Sequence, residues 1–290
     1  ALKSHPYFNG GVNNEDLDKL IKIFEEKSRN YTGIDFSNAP TGAKKILITG
    51  FDPFFLMYNK EQWNPSGQAI LSLHGKAVSN GFIQSMIFPV RYIDFDNGYV
   101  EKYILQHIQD VDMIITISQG RPNLYDIERF ASKFRTPSTI DNLNVVLPHK
   151  FYLPSSDGIS QISENIIPEF LETTLPISSM VPGSLGNTLV IYNQQYKGSQ
   201  TSEPYSNINS GTNNISGPNT NEKALEGSGG TYLSNEIFYR VAVLRNHLEL
   251  NNTLKSGHLH VPILDVNDFV QAQTDTLNVK TIIENAIQGL

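Results

Sequence analysis

Cysteine is absent from the 290 residues. That removes disulfide scaffolds, zinc–thiolate sites, iron–sulfur clusters and any cysteine nucleophile. It leaves the compartment open, because a chain without thiols is at ease in either redox environment. Charge is scarce too: charged residues make up 18%, and 22 basic residues stand against 29 acidic ones for a net charge of −7. No stretch gathers Lys and Arg onto one face, so neither nucleic acid nor an anionic membrane surface is expected as a partner. No apolar run approaches the ~20 residues of a membrane span. The common site motifs are missing as well: there is no G-x-G-x-x-G, Walker lysine, G-x-S-x-G or H-E-x-x-H. Dinucleotide, phosphate-loop, ordinary α/β-hydrolase and zincin readings lose their main support.

What is present is a core. Hydrophobic residues make up 39% and aromatics 10%, which excludes a wholly disordered chain and points to a soluble globular one. Residues 1–44 read as an N-terminal extension: a loop over 1–12, then a helix capped by Asn13 or Asn14 with Leu17, Leu20, Ile21 and Phe24 on one stripe, then a polar linker from Asn30 to Lys44. From Lys45 the period changes. Ile46-Leu47-Ile48-Thr49 is a short buried strand. Asn64-Pro65 caps a helix carrying Ala69, Ile70 and Leu73. Further strands are expected at 82–88, 113–117, 188–192 and 259–263, and helices at 99–108, 234–250 and 279–287. This alternation predicts an α/β fold, a largely parallel sheet with helices on both faces, over residues 45–290. One segment interrupts it, a long polar loop at about 194–229, nearly bare of large apolar residues between Lys197 and Lys223.

His258 and His260 lie two apart on an expected strand and so share a face, but two ligands without a third do not make a metal site. Taken singly, Phe51 and Phe54 read as core at a sheet edge, Glu128 as a surface carboxylate, His260 as a core histidine and Asn64 as a helix cap.

Together these residues fall into a pattern. Gly50-Phe51-Asp52-Pro53-Phe54 followed by Asn64-Pro65-Ser66 resembles the start of pyroglutamyl peptidase I (pyrrolidone-carboxylate peptidase). Glu128-Arg129-Phe130-Ala131 resembles that family's Glu-Arg-x-Ala, and residues 174–181 its T-L-P-x-x-x-M-V run. Gly230-Thr231-Tyr232-Leu233-Ser234-Asn235 is similar to its A-G-T-Y-x-C-N segment, and Leu259-His260-Val261-Pro262 to its x-H-V-P strand. The resemblance covers residues 45–265. It implies a three-layer α/β/α sandwich with a largely parallel mixed sheet, and removal of an N-terminal pyroglutamyl residue from peptides without metal or other cofactor. It further implies His260 as the base, Glu128 as the carboxylate that orients it, Phe51 and Phe54 as walls for a lactam ring, and Gln119 with the backbone near Thr231 and Leu233 as polar contacts. The ligand so implied is a peptide bearing pyroglutamate or a similar small-ring amide. The family also implies a homo-oligomer and a cytoplasmic setting, with export after removal of a signal peptide the alternative.

The departure lies at the nucleophile, where the resemblance aligns Ser234 with the family's cysteine. A thiol ionises several units below an alcohol, so serine must lose its proton to the base during attack. Three readings follow: a working serine nucleophile, natural loss of catalysis in a binding protein that keeps the fold, or a Cys→Ser change introduced to inactivate an enzyme. Other departures, such as Phe55 after Phe54 and Ser118-Gln119-Gly120-Arg121-Pro122 in place of G-Q-A-x-G-R, favour natural divergence over an introduced change.

Overall fold

The computed structural model describes residues 14–135, 139–146, 150–151, 167–201 and 211–290. The expected loop over 1–12 and residues 202–210 of the expected polar loop lie outside these. The first elements are α1 (Asn14–Ser28), β1 (Lys44–Phe51), α2 (Pro65–Leu73), β2 (Ala77–Val78), β3 (Gly81–Phe88), α3 (Tyr92–Asp96) and α4 (Tyr99–Ile104). Then come β4 (Met113–Gln119), β5 (Leu124–Glu128), β6 (Phe130–Ser132), β7 (Phe134–Arg135), β8 (Lys150–Phe151), β9 (Phe170–Glu172) and α5 (Ile177–Met180). The chain closes through β10 (Ser184–Leu185), β11 (Thr188–Asn193), β12 (Tyr196–Ser199), β13 (Thr212–Asn214), β14 (Lys223–Glu226), α6 (Leu233–His247), β15 (Lys255–Val261) and α7 (Phe269–Gln288).

One eight-stranded sheet organises these elements, in the order β10-β11-β5-β15-β4-β1-β3-β2. Its pairs β1–β3, β1–β4, β4–β15 and β5–β11 are parallel. The pairs β5–β15, β2–β3 and β10–β11 are antiparallel. The sheet is therefore mixed and mostly parallel, with helices on both faces. Strand alternation sorts the core into two layers. Ile46, Ile48, Ile115, Ile117, Leu259 and Val261 face α2 and α7. Leu47, Met86, Phe88 and Ile114 face α3, α4 and α6. At the start of α2, Asn64 Oδ1 accepts from the Ser66 amide at 3.1 Å and Pro65 takes the first helical position, a cap worth about 1 kcal/mol. No helix among the described residues is long and apolar enough to cross a membrane.

Two segments differ from their sequence reading. Residues 30–36, the start of the expected linker, are docked on the sheet. Tyr31 is 1% exposed and stacks on Tyr103 with ring centroids 3.8 Å apart. Asn30 Nδ2 donates to Ser85 O at 2.8 Å, and Arg29 bridges Glu25 and Asp52. In the polar segment, β12, β13 and β14 form a small antiparallel sheet. Tyr196 anchors it by packing edge-on against Phe130 and Phe170, with Ala224 and Leu225 buried beside it.

Candidate active site

Alternation also decides what faces α6. Parallel register pairs Thr116 with His258 and Ser118 with His260, so all four side chains share the face opposite Ile117, Leu259 and Val261. Antiparallel β5 brings Glu128 opposite His258. From there the carboxylate reaches diagonally to the second histidine: His260 Nδ1 lies 2.7 Å from Glu128 Oε1. The other oxygen, Oε2, accepts from Asn193 Nδ2 at 2.9 Å, and that amide also donates to Ser228 O. Burial pushes the Glu128 carboxyl up, while the His260 hydrogen bond pulls it back. A neutral imidazole that gives its Nδ1–H to this carboxylate has a bare Nε2, the tautomer a general base requires. The space beside this pair admits no side chain at Gly120, where a Cβ would stand 2.6 Å from His260 Cβ.

His258 is wholly buried under the Phe238 ring and meets His260 edge-on at 4.6 Å between centroids. Thr116 Oγ1 is 2.7 Å from its Nδ1 and Ser118 Oγ 2.8 Å from its Nε2. Burial, and then the neighbouring His260, hold this imidazole well below the usual histidine range. It stays neutral.

Ser234 sits in the first turn of α6, where unpaired amides and the helix dipole favour negative charge. The turn is held on both sides. Asn235 exchanges hydrogen bonds with the Ser132 backbone, Oδ1 accepting from N at 2.9 Å and Nδ2 donating to O at 3.0 Å. Glu236 takes Arg135 Nε at 2.6 Å and Arg240 Nε at 2.9 Å, and Arg240 continues to Glu101 at 2.7 Å. All four charged groups are buried, and each is paired with an opposite charge, as burial demands. Ser234 Oγ donates to Gly229 O at 3.3 Å and not to His260. Gly229 lies between them: a Cβ there would be 3.1 Å from His260 Cε1 and 3.4 Å from Glu128 Cγ.

A small cleft of about 50 Å³ opens in front of Ser234, lined by Phe51, Phe54, Asn64, Val90, Ser118, Gln119, Tyr232, Leu233 and Ser234. Of the residues singled out in the sequence, Phe51, Phe54, Gln119, Leu233 and Ser234 meet at this wall. Glu128 and His260 form the pair behind it, and Thr231 is outside the lining. Sequence reasoning missed Asn193 and the Thr116–His258–Ser118 chain. Nothing in the sequence pointed to Asn193, whereas the spacing of His258 and His260 already put the two on one face. Among the described residues no group of three or more metal-ligating side chains is close enough to hold an ion.

A family described as "PA0049, C-terminal domain" matches residues 45–165 and 190–265. Over 319 aligned residues the chain is 25% identical to the uncharacterized protein PA0049 of Pseudomonas aeruginosa, covering 83% of this chain but 57% of that protein. It is 29% identical over 254 residues to a pyrrolidone-carboxylate peptidase of Aliivibrio fischeri, covering 83% and 88% of the two chains. Among solved structures it resembles pyroglutamyl peptidase I from Bacillus amyloliquefaciens, with a TM-score of 0.57, 21% identity, and 84% and 95% coverage. A mutant pyrrolidone carboxyl peptidase from Pyrococcus furiosus aligns with a TM-score of 0.57 at 19% identity, covering 85% and 99%.

Proposed function

The chain belongs to the PA0049 C-terminal domain family and is related to the pyrrolidone-carboxylate peptidases, and from this we propose that it is a hydrolase of N-terminal pyroglutamyl or similar small-ring amides. The observation that carries the reading is the buried His260–Glu128 pair, 2.7 Å apart, beside a cleft whose lining includes Ser234. Phe51, Phe54, Val90 and Leu233 make that cleft largely apolar, and Gln119 and Ser118 add a few polar atoms, which suits a flat neutral lactam.

In this mechanism Ser234 Oγ attacks the carbonyl carbon that joins the ring to the next residue, while His260 Nε2 takes the hydroxyl proton. The imidazolium so formed is steadied by Glu128 through Nδ1–H. Amides of the first turn of α6 offer donors to the developing oxyanion. Collapse breaks the C–N bond, His260 returns the proton to the departing amine, and an acyl ester remains on Ser234. Water, deprotonated by His260, then hydrolyses that ester and frees the acid. A serine makes the first step harder than a thiol would, because its proton must move during attack.

A second reading, a binding protein without turnover, is favoured by one contact: Ser234 Oγ is directed to Gly229 O instead of His260. Hydrogen bonds of this kind often tighten only once substrate is bound, so a rate measurement separates the two. The assay is fluorophore release from pyroglutamyl-7-amido-4-methylcoumarin by the native chain and by Ser234→Cys. Turnover by the native chain that His260→Ala abolishes supports the serine hydrolase. Turnover by Ser234→Cys alone assigns an intact pocket lacking a competent nucleophile. Silence in both overturns the hydrolase reading.

A further inference from the structure

Two histidines share one face of β15, and the proposed mechanism uses only His260. His258 is fully buried, and both of its ring nitrogens are engaged, by Thr116 Oγ1 at 2.7 Å and Ser118 Oγ at 2.8 Å. The protons in this chain follow from one further contact. Thr116 Oγ1 donates to Gly257 O at 3.1 Å. A carbonyl only accepts, and a hydroxyl has a single proton to give. With that proton on Gly257 O, the Thr116–His258 contact is made by Nδ1–H. Nε2 is then bare, and Ser118 donates to it. A neutral imidazole has one N–H and one acceptor, so this arrangement satisfies every member.

The consequence reaches the cleft, because Ser118 lines it. Its proton points inward to His258, so the oxygen offers the cleft lone pairs only. Two neighbouring polar side chains are engaged outside the cleft. Asn64 caps its helix through Oδ1, which accepts from Ser66 N and Oγ, and its Nδ2 donates to Asp52 O. Tyr232 gives its hydroxyl proton to Ile140 O. Gln119, on the same wall, has its Oε1 buried with no partner among the described residues. The Gln119 Nε2 can donate to a ring carbonyl, whereas Ser118 presents an acceptor and calls for a donor.

We infer that Ser118 is a specificity-determining residue, accepting a hydrogen bond from a ring N–H of the ligand, with His258 as the positioning residue that keeps its oxygen free to accept. The inference rests on the small-ring-amide reading above and adds which ring atom is sensed. A ring with oxygen in place of N–H would set acceptor against acceptor and leave Ser118 unpaired.

The test compares two rings of nearly the same shape, 2-pyrrolidone and γ-butyrolactone, binding to the full chain by ligand-observed NMR titration. The native chain is expected to prefer 2-pyrrolidone by about tenfold or more, and Ser118→Ala to shrink that preference about 5- to 20-fold. The readout is the ratio of the two affinities within each variant, so partial loss of folded protein leaves it unchanged. If the native chain prefers 2-pyrrolidone and Ser118→Ala keeps the full preference, the Ser118 assignment is wrong while the lactam reading survives. Equal binding of both rings to the native chain also removes the Ser118 assignment. If neither ring binds, the lactam reading itself fails and the inference goes with it.

Discussion

Tyr31 offers the sharpest test of how the segment before β1 belongs to the fold. Its ring is 1% exposed, stacked on Tyr103 at 3.8 Å between centroids and packed against Phe88 at 5.6 Å. Its hydroxyl is buried with no partner among the described residues. Burial pushes that phenol well up, so it stays protonated. The two halves of the side chain therefore act in opposite directions. Truncation to Ala removes a fully buried aromatic and one stacked partner, which costs about 3–5 kcal/mol. For a chain of this size that lowers Tm by about 10 °C. Tyr31→Phe removes only the orphaned hydroxyl, so it should leave stability unchanged or raise it by about 1 kcal/mol. Urea midpoints and calorimetric Tm values of the three proteins decide the matter. A loss below about 1 kcal/mol for Tyr31→Ala would show the segment to be loosely attached in solution, against the packing described. A Phe variant as unstable as the Ala variant would show that the hydroxyl has a partner after all.

The remaining predictions concern the site. Glu128→Gln replaces two acceptors with one acceptor and one donor, facing His260 and Asn193, and favours the imidazole tautomer whose Nε2 carries a proton. In whichever nucleophile form turns over, kcat should fall about 100- to 10,000-fold; a loss below tenfold would remove Glu128 from the orienting role. His258 is held neutral by burial, so the unfolded chain binds its proton more readily than the folded one. That contribution is fully present above the unfolded-state value near 6.5 and is lost as pH falls below it, at up to about 1.4 kcal/mol per unit. Urea unfolding at pH 5 and pH 7 should therefore show a smaller acid loss in His258→Phe than in the native chain. An identical slope would mean that this imidazole takes up a proton in the fold.

The sequence revealed the parts of this fold that carry their own periodicity. Ile46-Leu47-Ile48 marks β1, and Asn64-Pro65 marks the start of α2 within a residue. It failed where a buried strand is polar. β15 begins at Lys255, ahead of the apolar run expected from Leu259, because Ser256 and Gly257 carry no apolar signal, although the spacing of His258 and His260 already puts His258 on the strand. The partners of these polar residues lie elsewhere in the sequence: Arg245 Nη1 donates to Ser256 Oγ at 2.9 Å, and Thr116 and Ser118 take up His258. α7 begins at Phe269, ten residues before the expected Val279, since Phe269, Val270 and Leu277 are exposed and blur the apolar stripe. In the small sheet of β12 to β14, backbone pairing and Tyr196 do the work that alternation does elsewhere. At the site, the resemblance named Glu128 and His260, and the fold sets them 2.7 Å apart. Asn193 and Ser118 gain meaning only from neighbours 65 and 140 residues away.

The strand order has a consequence for how the chain is made. β15 lies between β4 and β5 yet leaves the ribosome after all the other strands of the sheet. Until it inserts, β4-β1-β3-β2 and β5 with β11 and β10 are two half-sheets with no backbone pairing between them, each presenting an open edge to solvent. Such edges pair readily with other chains, and closure must wait for contacts distant in sequence, which is slow. His260 arrives on that same late strand, so the histidine–carboxylate pair forms only when the two halves are joined. A nascent or truncated chain ending before Lys255 would thus lack the histidine–carboxylate pair and be prone to self-association, its keystone still missing.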